Sequence, residues 1–556
     1  MNNILEEKIL PNVMKPARYV GNELNAVHKD WDKTPIRVCL TYPDTYEIGM
    51  SNIGIQILYY ILNQGPDVLA ERVFAPWPDM EEQLISNNLP LFSLESRKPL
   101  DQFDLLGISL GHELTYTNIV NMLSLGNIPV RAKDRRDKDP LVMGGGPCVF
   151  NPTPVEAFFD FFVIGEAEEI LPEMVDLFRK SKGENRELKI GELAKIPGIY
   201  VPSLKNKVKK RFIKDFSNTP YPTKPIIPFI EAVHDRAVVE VMRGCKWGCK
   251  FCQAGWTTRP VRERQMDKVI ELADQILKNT GYEELSLVSL STSDYSKISE
   301  LARTLARKYE KKRINMSLPS MRTNTFSVEL AKDVSRVRPS SVTLAPEAGT
   351  QRLRDVIGKQ MSEEDILQGV SAAFTAGMSA IKLYFMIGLP TETDEDLLGI
   401  CQLAKKILSI GRTKTKRARV TVNLATFIPK PHTPLQWERQ ITIEETLAKQ
   451  HLIKDNLKVR NLDVRWHQAE ASFLEGVFAR GDQKLAAVIE AAWQLGCRLD
   501  AWSEHLKFDL WQKAFAECRI DPHDYLKALD PKAPLAWDFI DTGIPKEVLL
   551  RAANQG

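Results

Sequence analysis

Long apolar runs are missing from this 556-residue sequence: no stretch approaches the roughly 20 residues that a membrane span needs. The opening residues, Met1-Asn-Asn-Ile-Leu-Glu-Glu-Lys8, hold no apolar core of a secretory signal. Both absences set the expectation of a cytoplasmic protein with no membrane partner. An excess of one charge is missing too. The 75 Lys and Arg residues against 72 Asp and Glu leave only +3, too little to argue for nucleic acid or a membrane surface. Cysteine is scarce, at 8 residues, and Cys39, Cys148, Cys401, Cys497 and Cys518 are scattered, most of them in apolar surroundings. They read as small buried hydrophobes, which excludes a disulfide framework. What remains is an ordinary balance, 43% apolar and 26% charged, in a chain long enough for two or three domains.

The other three cysteines stand together, in Cys245-Lys-Trp-Gly-Cys249-Lys-Phe-Cys252. An apolar run from Ala237 to Met242 leads in and Arg243-Gly244 turns the chain, which reads as a strand delivering a loop. Thiolates are soft ligands for iron–sulfur clusters or zinc. Three of them can hold three corners of a [4Fe–4S] cube and leave one iron open to chemistry. A structural zinc knuckle is the alternative, but it wants four closed ligands. No fourth Cys or His lies near in sequence, and His234 sits at the far end of the incoming strand.

Around this loop the chain divides into five parts: an extension (1–34), an α/β domain (35–185), a linker (186–235), a barrel (236–470) and a helical tail (471–556). In the first domain strands are expected at Ile36–Thr41, Val68–Phe74, Asp104–Ser109, Leu141–Met143 and Phe161–Ile164. Helices alternate with them at Gly54–Leu62, Thr115–Leu125 and Glu168–Phe178. That alternation predicts an open parallel sheet, with ligands at the carboxyl ends of its strands. Ser109-Leu-Gly-His112, Gly144-Gly-Gly-Pro147 and Gly165-Glu166 lie at such ends, where glycine lets a ligand approach the backbone. Asp44, Tyr46 and Glu47 end the first strand, as ligands or as caps of the next helix. The basic runs Lys205–Arg211 and Gly411–Arg419 read as solvated surface, with RNA phosphate as the alternative.

Strand–helix units repeat beyond the cysteine loop. Five more strands are expected, at 285–290, 314–318, 341–344, 380–385 and 420–427, as in a partial parallel barrel whose loops carry the active groups. Those loops hold Ser291-Thr292-Ser293-Asp294, Glu347 with Arg354, and Gly388-Leu-Pro390-Thr-Glu392. A rigid Pro-rich turn follows at Phe427–Trp437, with Lys430 and His432 at its tips. In the tail, apolar spacing from Phe473 to Ala492 and the tryptophans Trp493, Trp502 and Trp511 favour packing, with a lid over substrate as the alternative.

CxxxCxxC with Phe251 before the last Cys resembles the radical S-adenosylmethionine (radical SAM) superfamily. The whole chain resembles a bacterial family within it that has a cobalamin-binding-like N-terminal domain. The resemblance implies a cobalamin-type parallel sheet followed by a partial (β/α)6 barrel and a helical C-terminal region. It implies a [4Fe–4S] cluster on Cys245, Cys249 and Cys252 that cleaves S-adenosylmethionine to a 5′-deoxyadenosyl radical. Ser291, Thr292 and Ser293 match the loop that holds the amino group of S-adenosylmethionine. Glu347 matches the ribose contact, Arg354 could pair with the carboxylate, and Gly388 lies in the turn near the adenine. The run Asp104…Ser109, Gly144-Gly145, Gly165-Glu166 resembles the cobalamin motif, on an active platform or on an inherited one that no longer holds the cofactor. His112 is followed by Glu-Leu-Thr-Tyr and so departs from the DxHxxG lower-ligand motif. Methylthiotransferases, the other relatives with an added N-terminal domain, carry three Cys there; this domain has Cys39 and Cys148. Cobalamin-dependent methylation of an unactivated carbon is the expected function. Modification of RNA or protein without cobalamin, and a cluster-bearing sensor or scaffold, are the alternatives. The expected partners are an electron donor such as flavodoxin or ferredoxin, an unidentified substrate, and a protein supplying a domain that some relatives carry.

Overall fold

The computed structural model describes residues 2–181, 183–319, 328–334, 337 and 341–555. Among the described residues, no helix is long and apolar enough to cross a membrane.

Six strands make the first sheet: Ile36–Tyr42, Val68–Phe74, Leu105–Ser109, Leu141–Gly145, Phe161–Val163 and Ile199–Tyr200. Their spatial order is second, first, third, fourth, fifth, sixth, and only the last pairs antiparallel. The expected parallel sheet is there, and the short sixth strand comes from the stretch read as linker. Val68–Phe74 is buried at every position, as strands covered on both faces are.

The helix Ile53–Leu62 is apolar nearly all round because both its sides are covered. Tyr59 and Leu62 enter the core of the sheet, whereas Ile57 and Ile61 enter the core of the barrel. The tail covers the opposite face of the sheet. Phe473, Val477, Ile489 and Trp511 share one core with Cys39, Ile108, Ile119 and Phe162. The tail is therefore a wall of the N-terminal domain, built from residues more than 300 positions away.

Seven parallel strands make the barrel, in two groups. Ala237–Glu240, Glu284–Val288 and Asn315–Ser317 form one; Val342–Glu347, Ala380–Ile387, Arg419–Thr426 and Leu462–Trp466 form the other. Alternate residues such as Leu383, Val422 and Leu424 are buried with Val370, Ile400 and Ile453 of the outer helices, the period-2 pattern that marks a half-covered strand. Six strands were legible from apolar runs. The seventh, Leu-Asp-Val-Arg-Trp, was not: it is an edge strand whose Asp463 and Arg465 are exposed.

The basic run Lys205–Arg211 is not simply solvated. Val208–Lys209 pairs with Ile540–Asp541 of the tail, and Lys210 is buried beneath the cysteine loop.

Candidate active site between the sheet and the barrel

The first barrel strand is followed by Met242–Arg243, which pairs with Arg262–Glu263. The cysteine loop is thus a closed excursion, pinned at its neck. At Gly244 (φ +87°) a Cβ would stand 2.6 Å from the Pro260 carbonyl oxygen, so the neck requires glycine. Cys249 is buried, and Cys245 and Cys252 are half-buried. Cys252 starts the short helix Gln253–Thr257 and its Sγ accepts the Gly255 N–H at 3.3 Å. Burial pushes the Cys252 thiol up to about 11, with Cys249, Cys245 and Glu347 adding to the rise. The charges of these groups oppose one another, and thiolates there need a positive centre to neutralise them.

The loop is braced from outside by Asp294, which the sequence offered as part of a ligand loop, and by Lys210, which sequence reasoning passed over. Asp294 receives the Trp247 indole N–H and the Ser291 hydroxyl and pairs with Lys246 at 3.1 Å. Lys210 Nζ donates to the carbonyls of Thr257 and Arg259, both at 2.7 Å, and burial pushes it down to about 8. A carboxylate directly after a hydroxyl run was a readable signal; a lysine inside a basic run was not.

Ser291, Thr292 and Ser293 are buried at the carboxyl end of the second barrel strand. Part of their capacity is used within the turn, since Ser291 donates to Asp294 and Thr292 accepts from Ser289 at 3.2 Å. Glu347 sits at a register shift with φ +69°, a strained setting for a side chain, and pairs with Lys359 at 3.1 Å. Arg354 differs from its expected role. It is fully buried, and its guanidinium donates to the carbonyls of Met361, Ala348 and Gly349 and to Gln351. A fork that spends four of its five N–H donors on these carbonyl oxygens braces the loop after the fourth strand and cannot form the two parallel bonds of an arginine–carboxylate pair. Gly388 N–H donates to Glu392, whose other partner is Lys449, so Glu392 fixes that turn.

The loops of the first sheet meet the cysteine loop across a cavity of about 590 Å³. Ser109, Gly145, Gly165 and Glu166 line it from the sheet; Arg243, Gly244, Gln253 and Ala254 line it from the barrel. The glycines there serve different ends. A Cβ on Gly145 would meet nothing within 4 Å, whereas one on Gly144 would strike Phe162 at 2.5 Å and one on Gly165 the Arg211 carbonyl oxygen at 2.0 Å. Only Gly145 offers open backbone; Gly144 and Gly165 are required by the protein's own packing. Glu166 is engaged as well. Arg262 grips both its oxygens at 2.7 Å and Arg243 lies at 3.4 Å. Burial works against its charge, but these partners hold the carboxyl below its usual range.

His112 does not line this cavity. Its Nδ1 accepts the Leu114 N–H and its Nε2 faces Glu475 at 3.4 Å. Lys430 joins Glu475 at 2.8 Å and Glu113 at 2.6 Å. His432 is buried, with Nε2 3.0 Å from the Phe150 carbonyl oxygen. It bolts the Pro-rich turn to the N-terminal domain. Tyr46 and Glu47 are likewise structural, bound to Glu23 and to Arg18 with Lys15.

The family described as "Radical SAM proteins, N-terminal" matches residues 54–202, and "Radical SAM superfamily" matches 239–404. The chain belongs to the radical SAM superfamily. It is a radical SAM enzyme. It is similar to an uncharacterized protein of Methanocaldococcus jannaschii, 28% identical over 82% of this chain and 90% of the relative. It is also similar to the tRNA-2-methylthio-N(6)-dimethylallyladenosine synthase of Thermotoga petrophila, 25% identical over 49% of this chain and 63% of that one. Among solved structures, the cobalamin-dependent S-adenosylmethionine radical enzyme OxsB shares the fold. It aligns at a TM-score of 0.52 and 14% identity over 88% of this radical SAM chain and 72% of its own.

Proposed function

We propose that this enzyme holds a [4Fe–4S] cluster on Cys245, Cys249 and Cys252 and cobalamin in the cavity above it, and methylates an unactivated carbon. When bound, the cluster supplies the electron that cleaves S-adenosylmethionine to a 5′-deoxyadenosyl radical, and the corrinoid supplies the methyl group. The observation that carries the reading is the cavity joining the strand ends of the sheet to the cysteine loop. The donor sets fit. Three thiols on one pinned loop suit a cluster with an open iron. The open edge of Gly145 beside Ser109 suits a flat macrocycle. Among the described residues no histidine lines this cavity, so the cobalt would go without a histidine beneath it.

The chain's own groups position and seal. Lys210 and Asp294 hold the cysteine loop, Lys210 through the Thr257 and Arg259 carbonyls and Asp294 through Trp247 and Lys246. Ser291 to Ser293 and Glu347 are the candidate contacts of S-adenosylmethionine, and the turn at Gly388 is the candidate contact of its adenine. Arg354 is reassigned to bracing. An external electron donor such as a flavodoxin or ferredoxin belongs to the reading. The second reading is methylthiolation of RNA or protein, favoured by the Thermotoga relative. Against it, Cys39 and Cys148 are core residues at 0% and 8% exposure, poorly placed to ligate a second cluster.

Anaerobic purification, reconstitution and assay test this directly. Iron near four per chain, a bound corrinoid and 5′-deoxyadenosine formation are expected. Zinc in place of iron would end the cluster assignment. Cleavage without corrinoid would move the weight to the second reading.

A further inference from the structure

A second cavity, of about 560 Å³, lies against the first and shares Ser109 and Gly111 with it. Three parts of the chain wall it: the loops after the first and third strands of the sheet, the end of the seventh barrel strand at Trp466, and the tail. Among the described residues, no Lys or Arg lines it; its charged lining groups are Asp44, Glu475, Asp500 and Glu504, beside His112 and His467. Glu475 is answered by Lys430 and His112. Asp44 and Asp500 are met by neutral donors. Asp44, 7% exposed, accepts from Trp502 Nε1 at 2.9 Å and from the Thr45 N–H. Asp500, 2% exposed, accepts from the Thr117 hydroxyl and Trp511 Nε1. Burial pushes both upward, Asp500 to about 6. Carboxylates removed from water without a paired cation are costly, and these two border an open space.

The structure assigns this second cavity as the substrate chamber, shaped for a compact amine-bearing cation and against a phosphate-bearing molecule. The assignment rests on the radical reading above, because the shared Ser109–Gly111 edge is the passage from cofactor to substrate. An ammonium placed beside Asp44 would supply the missing counter-charge. Trp502 and Trp466 add aromatic lining, and the Trp466 ring already carries one cation, Lys454 Nζ at 5.4 Å. A phosphate would meet four carboxylates and no guanidinium or ammonium in the wall. The tail, which contributes Asp500 to Glu504, would then set specificity.

Calorimetric titration of the full-length, reconstituted protein with tryptamine and with indole-3-propionate tests this, since the probes share a ring system and differ in charge. Tryptamine should bind at least about tenfold more tightly than indole-3-propionate, and Asp44→Asn should weaken tryptamine by about tenfold. Thermal unfolding of that variant checks its fold. Ser503→Arg, at an exposed lining position, places a fixed cation at the mouth and should weaken tryptamine without disturbing a buried group. Equal affinity for the two probes, no binding of tryptamine at millimolar concentration, or full affinity in both variants overturns the chamber. Iron content and 5′-deoxyadenosine are read on the same samples: their absence defeats the radical reading, whereas lost charge selectivity with both intact defeats only the chamber.

Discussion

The two cavities share an edge and treat charge in opposite ways. Around the first, the lining carboxylates are paired, Glu166 with Arg262, and Glu168 and Glu240 with Arg243 at 2.8 and 2.7 Å, while the lining cation Lys210 is spent on the carbonyls of Thr257 and Arg259. Around the second, Asp44 and Asp500 are buried with neutral hydrogen-bond partners and no salt bridge, the cations Arg498 and Lys507 acting on Asp500 only from a distance. Paired ions make a closed electrostatic account and leave a wall that a neutral ring can lie against. Unanswered carboxylates leave a field that a ligand must complete. On the proposed reading the contrast separates a place for a cofactor from a place for a substrate in two cavities that share Ser109 and Gly111.

The largest effect that tests this contrast is loss of the cluster. Cys249→Ala should abolish iron colour and S-adenosylmethionine cleavage while leaving the charge selectivity of the second cavity intact. Retained cleavage would refute the thiol assignment. Next, Gly145→Val should fill the first cavity and lower corrinoid retention by at least about tenfold, with the melting temperature unchanged because its Cβ meets open space. Gly165→Ala should do the reverse. With φ +111° and the Arg211 carbonyl in the way, it should cost about 1–3 kcal/mol of stability by denaturant melts.

Glu166→Gln tests the paired rim. It removes a buried carboxylate held by Arg262 and should destabilise by about 1–3 kcal/mol at neutral pH. The Glu166 carboxyl is held below its ordinary value in the folded chain. Its contribution is therefore present above the unfolded value, near 4.5, and is lost as pH falls below it. The variant should accordingly lose less stability than wild type on acidification. The effect that is smallest at neutral pH, and grows only on acidification, is at His432, which burial pushes down to about 4 from 6.5. Between those values the unfolded chain binds a proton that the folded chain refuses. Stability should thus fall as pH falls, by up to about 1.4 kcal/mol per pH unit. His432→Asn should flatten that slope in pH-dependent melts.

Much of this was legible in the sequence. CxxxCxxC within eight residues and apolar runs at strand length announce the cysteine loop and eleven of the strands, because local spacing alone sets them. Three things were not legible. Arg354 looked like a ligand because an arginine beside a glutamate on a barrel loop fits one. Its burial among carbonyls depends on how the chain turns at Ala348 to Met361. Gly144 and Gly165 looked like ligand-facing glycines, yet their need arises from Phe162 and Arg211, neighbours brought in by the sheet. Lys210 looked like one more exposed cation until the tail paired with its strand.

The sequence by itself settled the order of strands and helices and the donor set of the cysteine loop, since both are properties of neighbours along the chain. The tertiary structure alone decided that the tail walls the N-terminal sheet, that Asp44 faces a cavity with Trp466 and Trp502 beyond it, and which glycines stay open. Those facts depend on contacts between residues hundreds of positions apart, and no local pattern encodes which distant side chain will neutralise a charge or fill a space.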